Sequence, residues 1–399
     1  MYSAANMDSA GTIPPFAAPD GGAVDLLIIA GEHSGDQHAA KLVGELQSLR
    51  PGLKVAAIGG PALRQAGAQL LFDLTEFSVV GFVEVLRHMG QFKSLLRHSE
   101  NWIATHKPRS VLFVDYPGFN LRLADRLFKA SLSRKSGGNI GLYYYISPQI
   151  WAWKAGRRFK MARLLDGMGV IFPFELKSYA DTTLPVRFVG HPFVSEGLPS
   201  NLSLDPSGPI LLLPGSRAQA VARIFPAMLD AFSVMLEQLP GERALALYPD
   251  PRIRALLEDI LSGRPELKDR VELRPAGEGA KAKACLISSG TMSLNCALAG
   301  LPGAICYRAH PLTYLMGRMF IKVPHLGIAN LLLPDAPPYR EYIQGEARPE
   351  AIAADLVEAI DKPERTAASK VAAEQLRTVL GGNSDTPSPA RWLIDSAKL

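Results

Sequence analysis

Apolar and polar positions along this chain fall into alternating blocks. Short apolar runs recur at "VDLLIIA" (24–30), "KVAAIGG" (54–60), "SVLFVD" (110–115), "GLYYYIS" (141–147), "GMGVIFP" (167–173) and "VRFVGHP" (186–192). Helix-length stretches with one apolar face separate them, for example Asp36–Leu49 and Asn120–Ala130. Continuous apolar strands alternating with amphipathic helices predict a parallel sheet covered on both faces. The pattern then restarts with "PILLLPG" (209–215), "RALALYP" (243–249), "RVELRP" (270–275), "ACLISSG" (284–290) and "GAICYR" (303–308). Between the halves lies "SEGLPSNLSLDPSGP" (195–209), whose Ser, Pro and Gly content is that of a linker. The expected organisation is α/β: two doubly wound domains, 24–194 and 209–380, facing a central cleft and joined by a linker at 195–208. A disordered tail is expected at 1–23 and a polar tail at 381–399. Ligands of such sheets bind beyond the carboxyl ends of the strands.

Composition narrows the function classes. A length of 399 residues exceeds one ordinary core. Apolar content of 47% with 20% charged residues is that of a globular chain. The net charge of +5 gives mild attraction to anionic ligands or membrane surfaces and no case for nucleic acid. Cys285, Cys296 and Cys306 include no closely spaced pair, which predicts buried free thiols in a reducing compartment. No run of 18 uninterrupted apolar residues suggests a membrane span, and residues 1–23 lack the basic start and apolar block of a signal peptide. A cytoplasmic protein that meets membrane only at its surface is the expectation. Metal-ligand spacings such as Asp-x-Asp and His-x-x-x-His are missing, so no metal or cofactor is expected.

Five stretches carry candidate chemistry. "AGEHSGDQHAAKL" (30–42) follows the first strand and opens a helix; Ser34 and Asp36 are placed to cap it, and Gly35 allows a tight turn. An ordinary capped turn has the same pattern. "FVDYPGFN" (113–120) puts Asp115 at a strand end, either as a general base for a substrate hydroxyl or as a helix cap or partner of Arg122. "YYYISPQIWAWKAGRRFKMARLLDG" (143–167) sets Trp151 and Trp153 beside Lys154, Arg157 and Arg158. Such a basic aromatic helix suits a lipid or phosphate surface, or else packs its tryptophans inward. "LLLPGSRAQAVARIFP" (211–226) places Gly215, Ser216 and Arg217 before a helix, and "SSGTMSLNCALAG" (288–300) does the same with Ser289, Gly290 and Thr291. Two such loops in one half suggest a diphosphate site.

Taken in order, these motifs resemble the lipid-A-disaccharide synthase family. The resemblance also rests on "EFSVVGFVEVL" (76–86), "FPFE" (172–175), "FVGHP" (188–192), "ANLLLP" (329–334) and "EYIQ" (341–344), and covers residues 24 to 375. It implies a GT-B fold of two Rossmann-like domains. It also implies an inverting, metal-independent transfer from UDP-2,3-diacylglucosamine to 2,3-diacylglucosamine-1-phosphate (lipid X). The implied products are the β-1′,6 disaccharide and UDP, formed at the inner face of the bacterial inner membrane.

Position by position, the resemblance assigns Asp115 to activation of the acceptor 6-hydroxyl and Arg217 to the donor. It gives Ser34, Gly35, Asp36, Glu84, Asn120 and Asn330 substrate contacts. Gly215, Ser216, Ser289, Gly290, Thr291 and Asn295 fall on the nucleotide side, and Trp151, Trp153, Lys154, Arg157 and Arg158 face the membrane. The chain departs from the family pattern at Ala220 and Asn295, both usually Glu, and at Ala329, usually Pro. In GT-B folds the glutamate at the place of Asn295 receives the ribose hydroxyls. Two alternatives follow: a paralogue that binds lipid or nucleotide sugar without catalysis or with another donor, and another GT-B enzyme such as a UDP-sugar epimerase.

Overall fold

The computed structural model describes residues 13–78, 89–195, 201–288, 290–310, 314 and 323–399. The chain divides into two compact units, Met1–Ser195 with Gly382–Leu399, and Glu196–Gly381. In the first unit, seven parallel strands are ordered β3-β2-β1-β4-β5-β6-β7. They are β1 (Leu26–Ala30), β2 (Val55–Gly59), β3 (Gln69–Asp73), β4 (Ser110–Val114), β5 (Gly141–Tyr145), β6 (Gly167–Val170) and β7 (Val186–Phe188). Every residue of β1, β2, β4, β5 and β6 is buried, which is why these strands read as unbroken apolar runs. Leu26 of β1 registers with Val55 on one side and Ser110 on the other. The chain winds outward from β1 to β3 and then restarts at β4 on the opposite side of β1. The topological switch point therefore lies between β1 and β4.

The second unit repeats the logic. β9 (Ile210–Leu213), β10 (Ala244–Tyr248), β11 (Val271–Pro275), β13 (Ala284–Ile287), β14 (Gly303–Tyr307) and β15 (Arg340–Ile343) form a sheet ordered β11-β10-β9-β13-β14-β15. Its switch point lies between β9 and β13. β8 (Leu202–Leu204) and β12 (Ala280–Ala282) make a small separate sheet. Helix Ala218–Gln238 is long and apolar enough to span a membrane by composition. Its Phe225, Met228 and Phe232 are instead buried in the unit core with Ile352 and Leu356 of helix Pro349–Asp361.

Three expectations about the ends and the joint change. Residues 13–23 are not a loose tail: Ile13 is buried, Phe16 packs on Phe72 with ring centroids 5.9 Å apart, and Trp102 Nε1 donates to the Ala17 carbonyl at 2.8 Å. Residues 1–12 lie outside the described residues. The segment 381–399 contains helix Pro389–Ala397, capped by Ser388, and returns to the first unit. Trp392 packs edge-on to Tyr143, and Tyr143 donates to the Ser396 carbonyl at 2.7 Å. A side chain of that size buried against the sheet contributes about 2–3 kcal/mol, which overrides the polar run before it. Of the expected linker, residues 196–200 lie outside the described residues and 202–204 are strand β8, paired with β12.

Candidate active site

The first unit's switch point brings two loops into contact. After β1, Gly31 and Glu32 lead into helix His33–Leu49; after β4, Asp115 and Tyr116 lead into helix Pro117–Lys129. A Cβ on Gly31 would lie 2.1 Å from Tyr116 Cδ1, so glycine is what lets the Tyr116 ring close over the β1 loop.

Asp115 and Tyr116 both have φ of +45°, in the left-handed region. Such backbone costs non-glycine residues roughly 1–3 kcal/mol each and persists only where surrounding bonds enforce it. Those bonds are present. The Asp115 N–H donates to the Tyr145 carbonyl at 3.0 Å. The Asp115 carbonyl accepts from Asn120 Nδ2 at 2.7 Å and from the Tyr144 hydroxyl. Asn120 is fully buried and also donates to the Val114 carbonyl at 3.3 Å. Its Nδ2 therefore serves the loop backbone, while its buried Oδ1 has no hydrogen-bond partner among the described residues.

The Asp115 side chain takes neither of its structural alternatives. The N-cap of helix Pro117–Lys129 is Tyr116, with no side-chain cap bond, and Arg122 lies over the Phe92 ring at 5.3 Å. Burial, reinforced by the Glu32 charge, pushes the Asp115 carboxyl up to about 6. At neutral pH such a group is mostly ionised yet basic enough to take a proton from a hydroxyl as it reacts.

Ser34 is exposed in the first turn of its helix, and Gly35 is buried against β4. Asp36 does not cap its own helix. Its carboxylate is buried and receives the N–H groups of Gly60 (2.8 Å), Ala62 (2.9 Å) and Leu63 (3.3 Å), tying the β2 turn to the β1 loop. It is a structural anchor, because those three donors occupy it. Glu84 lies outside the described residues.

Glu175 has a chemistry that the "FPFE" motif did not announce. It is 1% exposed and accepts from the Phe172 N–H at 3.1 Å. Burial pushes its carboxyl up to about 8, and the Asp115 charge acts in the same direction. Around it runs an aromatic wall: Trp151 edge-on to Phe174 (5.2 Å), Phe174 stacked on Phe172 (5.4 Å), and Phe172 against His191 (5.2 Å). Burial lowers His191 to about 3 and His38 to about 4, so both are neutral. The only advance signal for Glu175 was an acid directly after an apolar run.

The basic aromatic stretch forms a helix only at Arg157–Leu164. Trp153 is 46% exposed, with Lys154 Nζ 4.3 Å and Arg157 Cζ 5.4 Å from its ring. Trp151 is turned toward Phe174, and Arg158 is bound to Asp181. Trp153, Lys154 and Arg157 thus cluster around one exposed ring, while Arg158 lies over the exposed Phe159 ring at 4.2 Å.

The second unit's switch point carries the other two loops. Gly215 has φ of +106°, and a Cβ there would lie 3.1 Å from Ser288 Oγ. Ser216 and Arg217 are exposed, with Arg217 at the N-cap of helix Ala218–Gln238. Gly290, at φ +120°, is the N-cap of helix Thr291–Leu298. Neither helix has a side-chain cap or an acid in its first turn, leaving N–H donors and positive helix ends for an anion. Ser289 lies outside the described residues, and Thr291 is placed only as the first helical residue. The Asn295 amide makes a weak contact with Met292 Sδ at 3.8 Å.

Asn330 is buried and fully engaged. Its Nδ2 donates to the Tyr339 carbonyl and to Glu341 Oε1, both at 2.8 Å, while its Oδ1 accepts from the Tyr339 N–H at 3.1 Å. Glu341 also receives the Leu326 and Gly327 N–H groups. The expected substrate contact of Asn330 is replaced by a role in holding the 326–330 turn.

Known proteins share this chain's sequence pattern and fold. Residues 26–387 match the model of the lipid-A-disaccharide synthetase family. The lipid-A-disaccharide synthase of Geobacter metallireducens is 35% identical over 373 residues, 89% of this chain and 93% of that protein. That of Coxiella burnetii is 36% identical over 350 residues, 84% of this chain and 89% of that protein. Among solved structures, the kitacinnamycin glycotransferase superposes with TM-score 0.58 at 13% identity, covering 94% of this chain and 99% of that one. The UDP-GlcNAc 2-epimerase of Neisseria meningitidis, bound to UDP-GlcNAc, gives 0.56 at 13%, covering 94% and 97%. The two doubly wound sheets are thus those of a GT-B fold, and the match along nearly the whole sequence places this chain in the lipid-A-disaccharide synthetase family of glycosyltransferases.

Proposed function

We propose that this protein transfers 2,3-diacylglucosamine from its UDP conjugate to the 6-hydroxyl of 2,3-diacylglucosamine-1-phosphate, releasing UDP. The observation that carries the reading is Asp115, an acid at the first unit's switch point whose backbone is held while its carboxylate neither caps the following helix nor pairs with Arg122. Its carboxylate accepts the hydroxyl proton as that oxygen attacks the donor's anomeric carbon. The carbon–oxygen bond to UDP breaks on the opposite face, so the configuration inverts. Arg217 and the two uncapped helix ends neutralise the departing diphosphate, so the reading needs no metal ion. Both substrates are acylated, and exposed Trp153 with Lys154 and Arg157 suits docking on an anionic inner-membrane surface from the cytoplasmic side. Co-sedimentation with anionic vesicles, lost in a Trp153→Ala, Arg157→Ala variant, tests that part.

The purified protein, given UDP-2,3-diacylglucosamine and lipid X, is expected to yield disaccharide and UDP one for one. Asp115→Asn is expected to abolish turnover while sparing UDP affinity. Unchanged turnover in that variant would sink the assignment. Asn295 and Ala220 favour one other reading, a paralogue that binds UDP-sugar without this transfer. Tight UDP binding with no disaccharide would establish it.

A further inference from the structure

We propose that Tyr144 is a positioning residue for the transfer, fixing the Asp115 carboxylate by donating its buried hydroxyl to the Asp115 carbonyl. The inference rests on the reading of Asp115 as the acceptor-activating base. Asp115 and Tyr116 are consecutive non-glycine residues in the left-handed region, and the loop has no glycine between β4 and Pro117 to absorb that conformation. A relaxed chain would leave it. Rotation of the peptide after Asp115 is the direct escape, and that rotation swings the Asp115 carbonyl. Two donors hold this oxygen, Asn120 Nδ2 and the Tyr144 hydroxyl, matching the two lone pairs of a carbonyl. With the N–H tied to Tyr145, every polar backbone atom of Asp115 is engaged, and the Cα–Cβ direction is set.

Asn120 comes from the helix that the loop starts and divides its Nδ2 between the Asp115 carbonyl and, at the longer 3.3 Å, the Val114 carbonyl of β4. Tyr144 comes from strand β5, the rigid neighbour of β4, and is fully buried. With the Asp115 N–H bond to the Tyr145 carbonyl, its hydroxyl bond refers the base to strand β5, and it is the one of the two that comes from a side chain. Burial holds its phenol protonated, far above the ordinary value, so it always donates. The charged and titratable groups acting on this pair are Glu32 and Glu175 on Asp115's side, and Tyr179 and Arg157 on Tyr144's.

The test is initial-rate kinetics of UDP release for Tyr144→Phe, Tyr143→Phe and Asp115→Asn. Tyr143 is the neighbouring buried phenol, but its hydroxyl bonds Arg134 and the Ser396 carbonyl instead. Tyr144→Phe keeps the ring, so packing is preserved. The expected result is a kcat lowered about tenfold with both KM values within twofold, the effect of a released hydrogen bond on a reacting geometry. The low-pH limb of the rate profile should also move to more acid pH, because a freed Asp115 loop is better hydrated. Tyr143→Phe should keep the wild-type kcat and limb. A Tyr144→Phe enzyme with wild-type kcat and limb overturns the proposal, as does an equal loss in Tyr143→Phe. If Asp115→Asn is inactive in those cases, the base assignment stands and only the positioning role falls. If Asp115→Asn turns over normally, the base assignment falls and this proposal with it.

Discussion

Replacing Glu175 by Gln should stabilise the first unit, and by more the higher the pH. The carboxyl is 1% exposed and is raised by burial from an ordinary 4.5 to about 8. In the unfolded chain it ionises above 4.5; in the native unit it keeps its proton until about 8. Between those values the native state binds the extra proton, so its stability falls as pH rises. Each pH unit across that window is worth about 1.4 kcal/mol, which gives a ceiling of about 5 kcal/mol above pH 8. Relaxation around a buried carboxylate reduces the effect, and about 2 kcal/mol between pH 5.5 and 8.5 is a working magnitude. Gln fills the same volume, keeps one oxygen for the Phe172 N–H and does not titrate; what it loses toward the Ile171 N–H and Trp151 is a constant offset without a pH slope. For a unit of this size, 2 kcal/mol is about 4–8 °C in Tm. The assay is built into the chain: all four tryptophans (Trp102, Trp151, Trp153 and Trp392) lie in the first unit, so tryptophan fluorescence melts report it alone. The melting difference between variant and wild type should widen by several degrees from pH 5.5 to 8.5. A difference that stays flat across that range would refute the reasoning, because a mere packing change has no pH slope.

Four further outcomes are expected. His38 and His191 have native values depressed to about 4 and about 3, so the unfolded chain takes up protons first as pH falls below 6.5. First-unit stability should drop between pH 6.5 and 4, and His38→Gln should shallow that drop in the same fluorescence melts. Gly31→Ala puts a methyl 2.1 Å from the Tyr116 ring, so kcat should fall more than tenfold through displacement of Asp115, and UDP binding by calorimetry should be unaffected. Arg217→Ala should weaken UDP binding by ~10- to 100-fold, the worth of a charge-assisted bond, without altering the tryptophan melt. Asn295→Glu should tighten UDP about tenfold if the ribose lies against that helix, and calorimetry would show no gain if it does not.

The sequence was most readable where physics is local. Strands buried on both faces must be continuously apolar, and all eleven runs singled out contain strands of the two sheets. The strands it missed are at margins. β3, β8, β12 and β15 are edge or two-strand elements, and their half-exposed residues dilute the apolar signal. The same distinction separates Asp115 from Asp36. Both are acids near the carboxyl end of a strand, and their local patterns look alike. Asp36 is consumed by three N–H groups from residues 60–63, donors that no local window pairs with it. Asp115 is touched at its carboxylate only by the adjacent Tyr116 N–H among the described residues, and by no distant segment. Asn330 likewise looked available until Tyr339 and Glu341, nine and eleven residues on, closed around it. Glu175 was hidden for the converse reason. Its character comes from burial, which a four-residue motif does not display.

The missing glutamates bear differently on the two parts of a nucleotide. A diphosphate is drawn to the N–H groups and positive end of a helix, and an acid in the first turn opposes it. Ala220 and Asn295 leave both helix starts of the second unit without acids: Ala218–Gln238 has Arg217 at its cap and no acid in its first turn, and Thr291–Leu298 has Gly290 and none either. Losing those carboxylates removes hydrogen-bond acceptors for sugar hydroxyls. It also removes negative charge from the place where two phosphates would sit. Under the proposed function, the departures would therefore shift the balance of recognition from ribose to diphosphate without dismantling the loop. That is why the intact elements are Gly215, with its left-handed backbone beside Ser288, the exposed Arg217 and the open turn at Gly290. A site selected only for binding would have no need of the strained, doubly held Asp115 at the other unit's switch point. Strain at that loop costs stability and its bonds serve to maintain it, which the proposed transfer accounts for and a purely binding surface does not.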